Sequence, residues 1–272
     1  NPRIILASIS GFGQDGPYAS RPGFDQIAQG MTGLMGVTGE RGGTPMRSGA
    51  AIADVAAGLY AALGVFTALM EREASGEGQW VQSSLLQAGI GLLDFQAARY
   101  VMSGEIPGLI GNDHPTSMPT SAYRTADGYI NVACSGDGMW VRLCNVLDRS
   151  EWLQLPEFED NAGRSENRQK LNELLNAAFS ARESAHWVET LNAAGVPCGP
   201  IYRMNEVFAD PQVQHLGAVS EVKHPRLGNL RILSQTVKLS RTAAKVVAPT
   251  PGLGQHTQEI LEELAYSKSE IE

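Results

Sequence analysis

Residues 46–60 read MRSGAAIADVAAGLY, and a single aspartate, Asp54, stands in a run of alanine and glycine. The flanks are helical in composition. On a helix the neighbours of Asp54 three and four positions away are Ala50, Ala51, Ala57 and Gly58. None of them can pair with a charge, and all are small enough for another molecule to approach the carboxylate. Two ordinary readings apply: a solvated aspartate on a poorly amphipathic helix, or an acidic residue at a helix start, where the dipole favours negative charge. The rest of the chain decides between these and a chemical role.

The chain has 272 residues, enough for one large domain or two modest ones, and its 43% hydrophobic and 18% charged content is that of a globular protein. The net charge is −8, from 21 basic and 29 acidic side chains. There is no run of lysine and arginine, which argues against a nucleic-acid partner. The longest apolar stretch, residues 50–70, is interrupted by Asp54 and rich in glycine and alanine, so no membrane span is expected. No signal peptide is expected. Three widely spaced cysteines, Cys134, Cys144 and Cys198, suggest a reducing, cytoplasmic setting without a disulfide framework. The five histidines show no metal-ligand spacing, so no metal is expected.

Arg3–Ile9 has the pattern of a short buried strand closed by glycine. GFGQDG (11–16) matches the spacing of a dinucleotide loop, but Pro17 and Pro22 follow where a helix would have to begin, so it reads as a turn-rich loop. Asp25–Met35 predicts a short helix, and its Gly30 and Gly33 suggest close backbone packing. A long helix is expected over 49–73 and a second over 80–102, with room for a strand at its start. The segment 103–121, with three prolines, reads as a linker and a domain boundary. A hairpin about Asp127-Gly128 follows. Helices are then expected at 140–147, 167–179 and 184–194, the last closed by Gly195, and a strand at 196–203. The remainder holds a short helix, two β-like runs, and a C-terminal helix behind a proline-glycine loop.

Taken together, SGFGQDGP (10–17), RPGFDQIAQGMTGLM (21–35), SGAAIADVAAGLYAALGVFTALMERE (48–73), DGYINVA (127–133), AGVPCGPIYRMNEVFADPQV (194–213) and PGLGQHTQEILEEL (251–264) resemble, in order, the class III coenzyme A transferases of the CaiB/BaiF type. That family also holds formyl-CoA transferase, carnitine CoA-transferase and α-methylacyl-CoA racemase. The resemblance implies an α/β fold: a partial Rossmann-like large domain (1–110), a small α+β domain (120–203), and a C-terminal segment (205–272) returning to the large domain.

It also implies a role for Asp54. In these transferases the aspartate of this helix attacks an acyl-CoA thioester to give a mixed anhydride, and the released thiolate converts the anhydride to an aspartyl-CoA thioester. A second carboxylic acid then reverses the steps and leaves as its CoA ester. Coenzyme A is thus a substrate, not a tightly bound cofactor. An unpaired carboxylate with small neighbours suits this chemistry, and Asp54 is expected buried or half-buried in a cleft near the start of its helix. The segment Arg21, Gly23, Phe24 and Asp25 is expected beside the CoA chain, with Arg21 toward a phosphate. Asp25 can equally be a helix N-cap. Racemases carry a histidine where this chain has Phe24, and a phenyl ring cannot move a proton, which favours transfer over racemisation. His114 lies in the linker that matches a glycine-rich lid in some transferases and reads as a linker residue or a substrate contact.

Family members begin well upstream of the segment matching Asn1. The resemblance therefore suggests a chain lacking much of the nucleotide end of the CoA pocket, with the Asp54 position retained and activity reduced or lost. The alternative to a transferase is a non-catalytic remnant that dimerises or binds a partner. Family relatives form homodimers whose chains interlock, and the same is expected here.

Overall fold

In the computed structural model, which describes residues 1–271, the chain divides into two units, Asn1–Pro200 and the segment from Ile201 onward. The first unit contains two separate hydrophobic cores. Its N-terminal part runs β1 (Leu6–Ser10), α1 (Asp25–Met31), α2 (Leu34–Val37), α3 (Ile52–Ser75), β2 (Trp80–Ser84), α4 (Leu85–Gly91) and α5 (Phe95–Ser103). The strands β1 and β2 pair in parallel, from Leu6 opposite Trp80 to Ser10 opposite Ser84. The connection between them contains α3, as a parallel pair requires a crossover.

The alanines that surround Asp54 explain how α3 packs. Ala53, Ala56, Ala57, Ala61 and Ala68 form its buried face. Small side chains let the helix lie close to β2, where the Ser83 hydroxyl donates to the Ala57 carbonyl at 3.0 Å. A Cβ on Gly64 would stand 2.5 Å from Val81 Cγ1, so glycine is required at this crossing. The opposite face, Val55, Leu59, Leu63, Phe66 and Met70, is exposed. By length and composition α3 is apolar enough to cross a membrane, contrary to the expectation from its interruption by Asp54. Its alanine face is nevertheless packed on β2 and α4.

Three other expectations are corrected. The first strand is not buried: Leu6 and Ile9 are 55% and 50% exposed, because among the described residues β1 has β2 as its sole strand neighbour and one face of the pair stays open. The segment 80–102 opens with the strand allowed for at its start, but the single long helix expected after it is two helices, interrupted at Asp94, whose φ of 46° lies in the left-handed region. The helix expected over 25–35 breaks at Gly33, whose φ is 90°. Gly30 packs loosely, with Met35 Sδ 3.8 Å from where its Cβ would be. Gly33 thus serves a turn, and neither glycine marks a tight backbone contact.

The second core is built by β3 (Thr120–Arg124), β4 (Tyr129–Ala133), α6 (Asp137–Val146), α7 (Asn161–Glu166), α8 (Arg168–Phe179), α9 (Ser184–Ala193) and β5 (Cys198–Pro200), with 3-10 turns at Ser150–Gln154 and Pro156–Phe158. The three strands form an antiparallel sheet in the order β3-β4-β5. Tyr123, Ile130 and Val132 point inward in strict alternation and meet Leu171, Leu175, Phe179, Trp187 and Leu191 from the helices. Asp127 serves both sides of the β3–β4 turn. Its Oδ1 accepts from the Thr125 hydroxyl at 3.0 Å and from the Ser184 backbone N–H at 2.8 Å, so the turn also caps the start of α9. These bonds, the Ser184 N–H first, hold the Asp127 carboxyl below its ordinary range.

In the second unit α10 (Met204–Ala209) and α11 (Pro211–Leu216) are separated by Asp210, whose Oδ1 accepts from the N–H groups of Gln212 and Val213 at 2.8 and 3.1 Å. The hairpin β6 (Val219–His224) and β7 (Gly228–Leu233) follows, then α12 (Thr257–Glu263) and α13 (Lys268–Ile271).

Candidate active site

Asp54 lies in the first turn of α3. It is exposed, and neither carboxylate oxygen has a hydrogen-bond partner among the described residues. The position on the helix is as expected; burial in a cleft is not observed, because the helix face beside it, Val55 and Leu59, is itself uncovered.

The residue before Ile52 is Ala51, which has no side chain able to cap a helix. The cap comes instead from α1. Asp25 Oδ1 accepts from the Ala53 backbone N–H at 2.9 Å, across 28 positions in sequence. Asp25 Oδ2 accepts from Gln29 Nε2 at 2.6 Å, and the same amide nitrogen donates to the Ala50 carbonyl at 3.2 Å. Gln29 Oε1 accepts from the Ser48 N–H at 2.8 Å. Gln29 is wholly buried and Asp25 is 8% exposed. The loop 48–51 and the first turn of α3 are therefore bonded to one face of α1, next to Asp54.

The remaining members of the 21–25 segment are arranged around this contact. Phe24 is the extended residue that opens α1 and is 76% exposed. Gly23 meets Gly11 backbone to backbone: a Cβ on Gly23 would stand 2.7 Å from the Gly11 Cα, and one on Gly11 2.8 Å from the Gly23 Cα. The GFGQDG loop thus abuts the irregular segment entering α1, and its first glycine is needed for this contact between backbones. Arg21 is exposed, with its guanidinium carbon 3.6 Å from the centre of the Tyr18 ring. The structure brings Asp25 to the helix that carries Asp54. Its carboxylate, unlike that of Asp54, is already engaged by protein donors.

Gln29 was not singled out by the sequence. The signal available was its i,i+4 relation to Asp25 on a short helix. Its partners Ser48 and Ala50 are non-local and carry no mark of their own. His114 stacks on Phe95 with ring centres 5.5 Å apart. An apolar cavity of about 400 Å³ lies between the α1–α2 and α4–α5 segments, lined by Gly33, Val37, Ile90, Leu93, Ala97 and Tyr100 among others; Asp54 is not one of its lining residues. Among the described residues no group of three or more His, Cys, Asp and Glu is placed to hold a metal ion.

With this geometry in place, residues 1–257 match CoA-transferase family III. The chain belongs to CoA-transferase family III. It is 35% identical over 263 residues to human succinyl-CoA:glutarate CoA-transferase, covering 97% of this chain and 60% of the human protein. It is 34% identical to the succinate–glutarate CoA-transferase of Agrobacterium fabrum, covering 97% of this chain and 66% of that protein. The family III fold is equally clear from a CaiB/BaiF family crystal structure from Brucella suis, with a TM-score of 0.84 at 35% identity over 97% of this chain and 68% of that one. The chain spans 60% of the length of the human relative.

Proposed function

We propose that this family III chain carries the nucleophile of a CoA transfer reaction, with Asp54 as the attacking carboxylate. The observation that supports this most directly is the contrast between two aspartates, Asp25 and Asp54, 29 positions apart. Asp25 is buried and fully engaged, whereas Asp54 is left unpaired and reachable on a helix start held in place by Asp25. In the reaction, an Asp54 oxygen adds to the thioester carbonyl, the C–S bond breaks, and CoA leaves as thiolate. That thiolate attacks the Asp54 carbonyl of the mixed anhydride, which frees the donor acid as its carboxylate. An acceptor carboxylate then attacks the aspartyl-CoA thioester, its C–S bond breaks to give a second anhydride, and the thiolate attacks the acceptor carbonyl of that anhydride, releasing the new CoA ester and the free Asp54 carboxylate. The helix N-terminus favours negative charge at this point of the chain.

The human and Agrobacterium relatives are both named for succinate and glutarate, which makes four- and five-carbon dicarboxylates the first acids to try. The setting proposed is cytoplasmic. Arg21, Gly23 and Phe24 are the residues of this chain proposed to run beside CoA, with Arg21 supplying a charge for a phosphate. The apolar stripe of α3, with Phe66 65% and Met70 77% exposed, supports a homodimer in which a second copy covers this face. Sedimentation that gave a monomer alone at micromolar concentration would count against the dimer.

The deciding experiment is incubation with succinyl-CoA and glutarate. It would follow glutaryl-CoA formation and, by peptide mass spectrometry, CoA attached at Asp54. The adduct and the product should both vanish in Asp54→Ala. The exposure of Asp54 favours a second reading, a chain that dimerises without turnover. It would be adopted if no Asp54-dependent adduct or product formed and the dimer persisted.

A further inference from the structure

The buried network behind Asp54 has a role in the reaction as well as in the fold. Resting on the reading of Asp54 as nucleophile, we infer that Asp25 and Gln29 are positioning residues that set the direction of the Asp54 carboxylate by fixing the first turn of α3.

The helix is poorly defined from its own sequence at this end. Ala50, Ala51 and Ile52 supply no side-chain acceptor, and the first N–H groups of any helix lack intrahelical partners. An uncapped first turn frays. A nucleophile in that turn then samples many orientations, and attack on a thioester needs one. Asp25 removes this freedom by accepting from the Ala53 N–H, the amide directly before Asp54. Gln29 holds the preceding loop at two points, the Ser48 N–H and the Ala50 carbonyl.

The polarity of the Gln29 amide is determined by these contacts. Its oxygen must face the Ser48 N–H, so its nitrogen must face the Ala50 carbonyl and the Asp25 carboxylate. Each member therefore specifies the next, and a buried network of this kind is rigid when every group is satisfied. A buried carboxyl at position 25 whose partners are one side-chain amide and one backbone N–H is costly as simple scaffolding. It is accounted for if the first turn of α3 has to be held in one conformation.

The network makes a specific pattern of rescue testable. In Asp25→Asn the new amide can still offer its oxygen to Ala53, but its nitrogen then faces the Gln29 nitrogen, donor against donor. In Gln29→Met the volume is kept and all three of its hydrogen bonds are lost. The double change Asp25→Asn with Gln29→Glu reverses the direction of the bond between the two side chains and keeps the acceptor for the Ser48 N–H, but turns an oxygen toward the Ala50 carbonyl where the Gln29 nitrogen had donated at 3.2 Å.

The experiment measures kcat and KM for succinyl-CoA to glutarate transfer, together with amide hydrogen exchange over residues 48–55, in the parent chain, the two single variants, the double variant and Asp54→Ala. The expected result is a fall in kcat on the order of a hundredfold in each single variant, with KM little changed, faster exchange at 48–55, and partial recovery of both in the double variant, which restores the bond between the two side chains but not the one to Ala50. Unchanged kcat in the single variants, or a double variant no better than either, would overturn the inference. If instead Asp54→Ala turned over like the parent, the nucleophile reading would fail. The exchange data would then still report whether Asp25 and Gln29 hold the helix start.

Discussion

Arg164 Nη2 donates to Asp137 Oδ1 across 2.7 Å, with the guanidinium fully buried and the carboxylate 67% exposed. The same guanidinium donates to the carbonyls of Met118, Phe158 and Glu159 and lies 5.4 Å from the Trp140 ring. It joins the linker before β3 to the turns after α6, so the ion pair is one contact among several.

This asymmetry predicts unequal costs for removing the two partners. Arg164→Met strands buried carbonyls and should destabilise the antiparallel-sheet core by about 3 kcal/mol. Asp137→Asn keeps an oxygen at the same place, and its charge is largely solvated, so the cost should stay below about 1 kcal/mol. Urea unfolding followed by the fluorescence of Trp140, Trp152 and Trp187, all in this core, measures both. Equal midpoints for the two variants would show that the carbonyl contacts matter less than the ion pair.

The backbone contact between Gly11 and Gly23 predicts that glycine is required at these positions and not at Gly30. Gly23→Ala forces two backbones apart and should cost about 1–3 kcal/mol. It should also shift the entry to α1, and with it Asp25. Gly30→Ala fills open space on a helix and should stabilise by about 1 kcal/mol. Thermal melts of the two variants are the check, and a neutral Gly23→Ala would mean the loop yields freely.

Burial pushes the Cys134 and Cys144 thiols up from 9.0 to about 12, and Cys198 to about 11. The folded chain thus holds these protons at pH values where the unfolded chain releases them. Stability linked to the thiols is complete below the ordinary value and declines as pH rises from about 9 toward 11–12. At pH 8 a disulfide reagent should label the native protein slowly, the half-buried Cys198 first, and the urea-unfolded chain rapidly at all three sites. Fast native labelling of Cys134 would show that its core opens readily.

How much of this was legible in the sequence depended on distance along the chain. The hairpin at Asp127-Gly128 and the helix ending at Phe179 were marked by local periodicity and turn chemistry. β2 was only half visible, as room for a strand at the start of 80–102, because Trp80–Ser84 is stabilised by β1, far away in sequence, while its own residues run directly into α4. Asp54 stood out because its chemistry contrasts with its neighbours. Its exposure did not, since burial depends on what covers the Val55–Met70 stripe and not on the helix that carries it. The network behind it was half visible: Asp25 was marked as a cap, but the helix it caps is α3 rather than its own.

The free carboxylate of Asp54 gives the sharpest separation of function from stability. Its side chain has no hydrogen-bond partner among the described residues and is exposed. Removing it leaves no unsatisfied group and no cavity, so Asp54→Ala should move stability by no more than about 0.5 kcal/mol. Asp54→Asn should be equally mild. Both should abolish the CoA adduct, because neither side chain can open a thioester and hold the acyl group as an anhydride. Asp54→Glu keeps the carboxylate but carries it one methylene further, and should lose activity on the order of a hundredfold. Chemical denaturation beside the adduct assay measures both quantities. A large loss of stability in Asp54→Ala would give the residue a structural role, and an adduct in Asp54→Asn would place the nucleophile elsewhere.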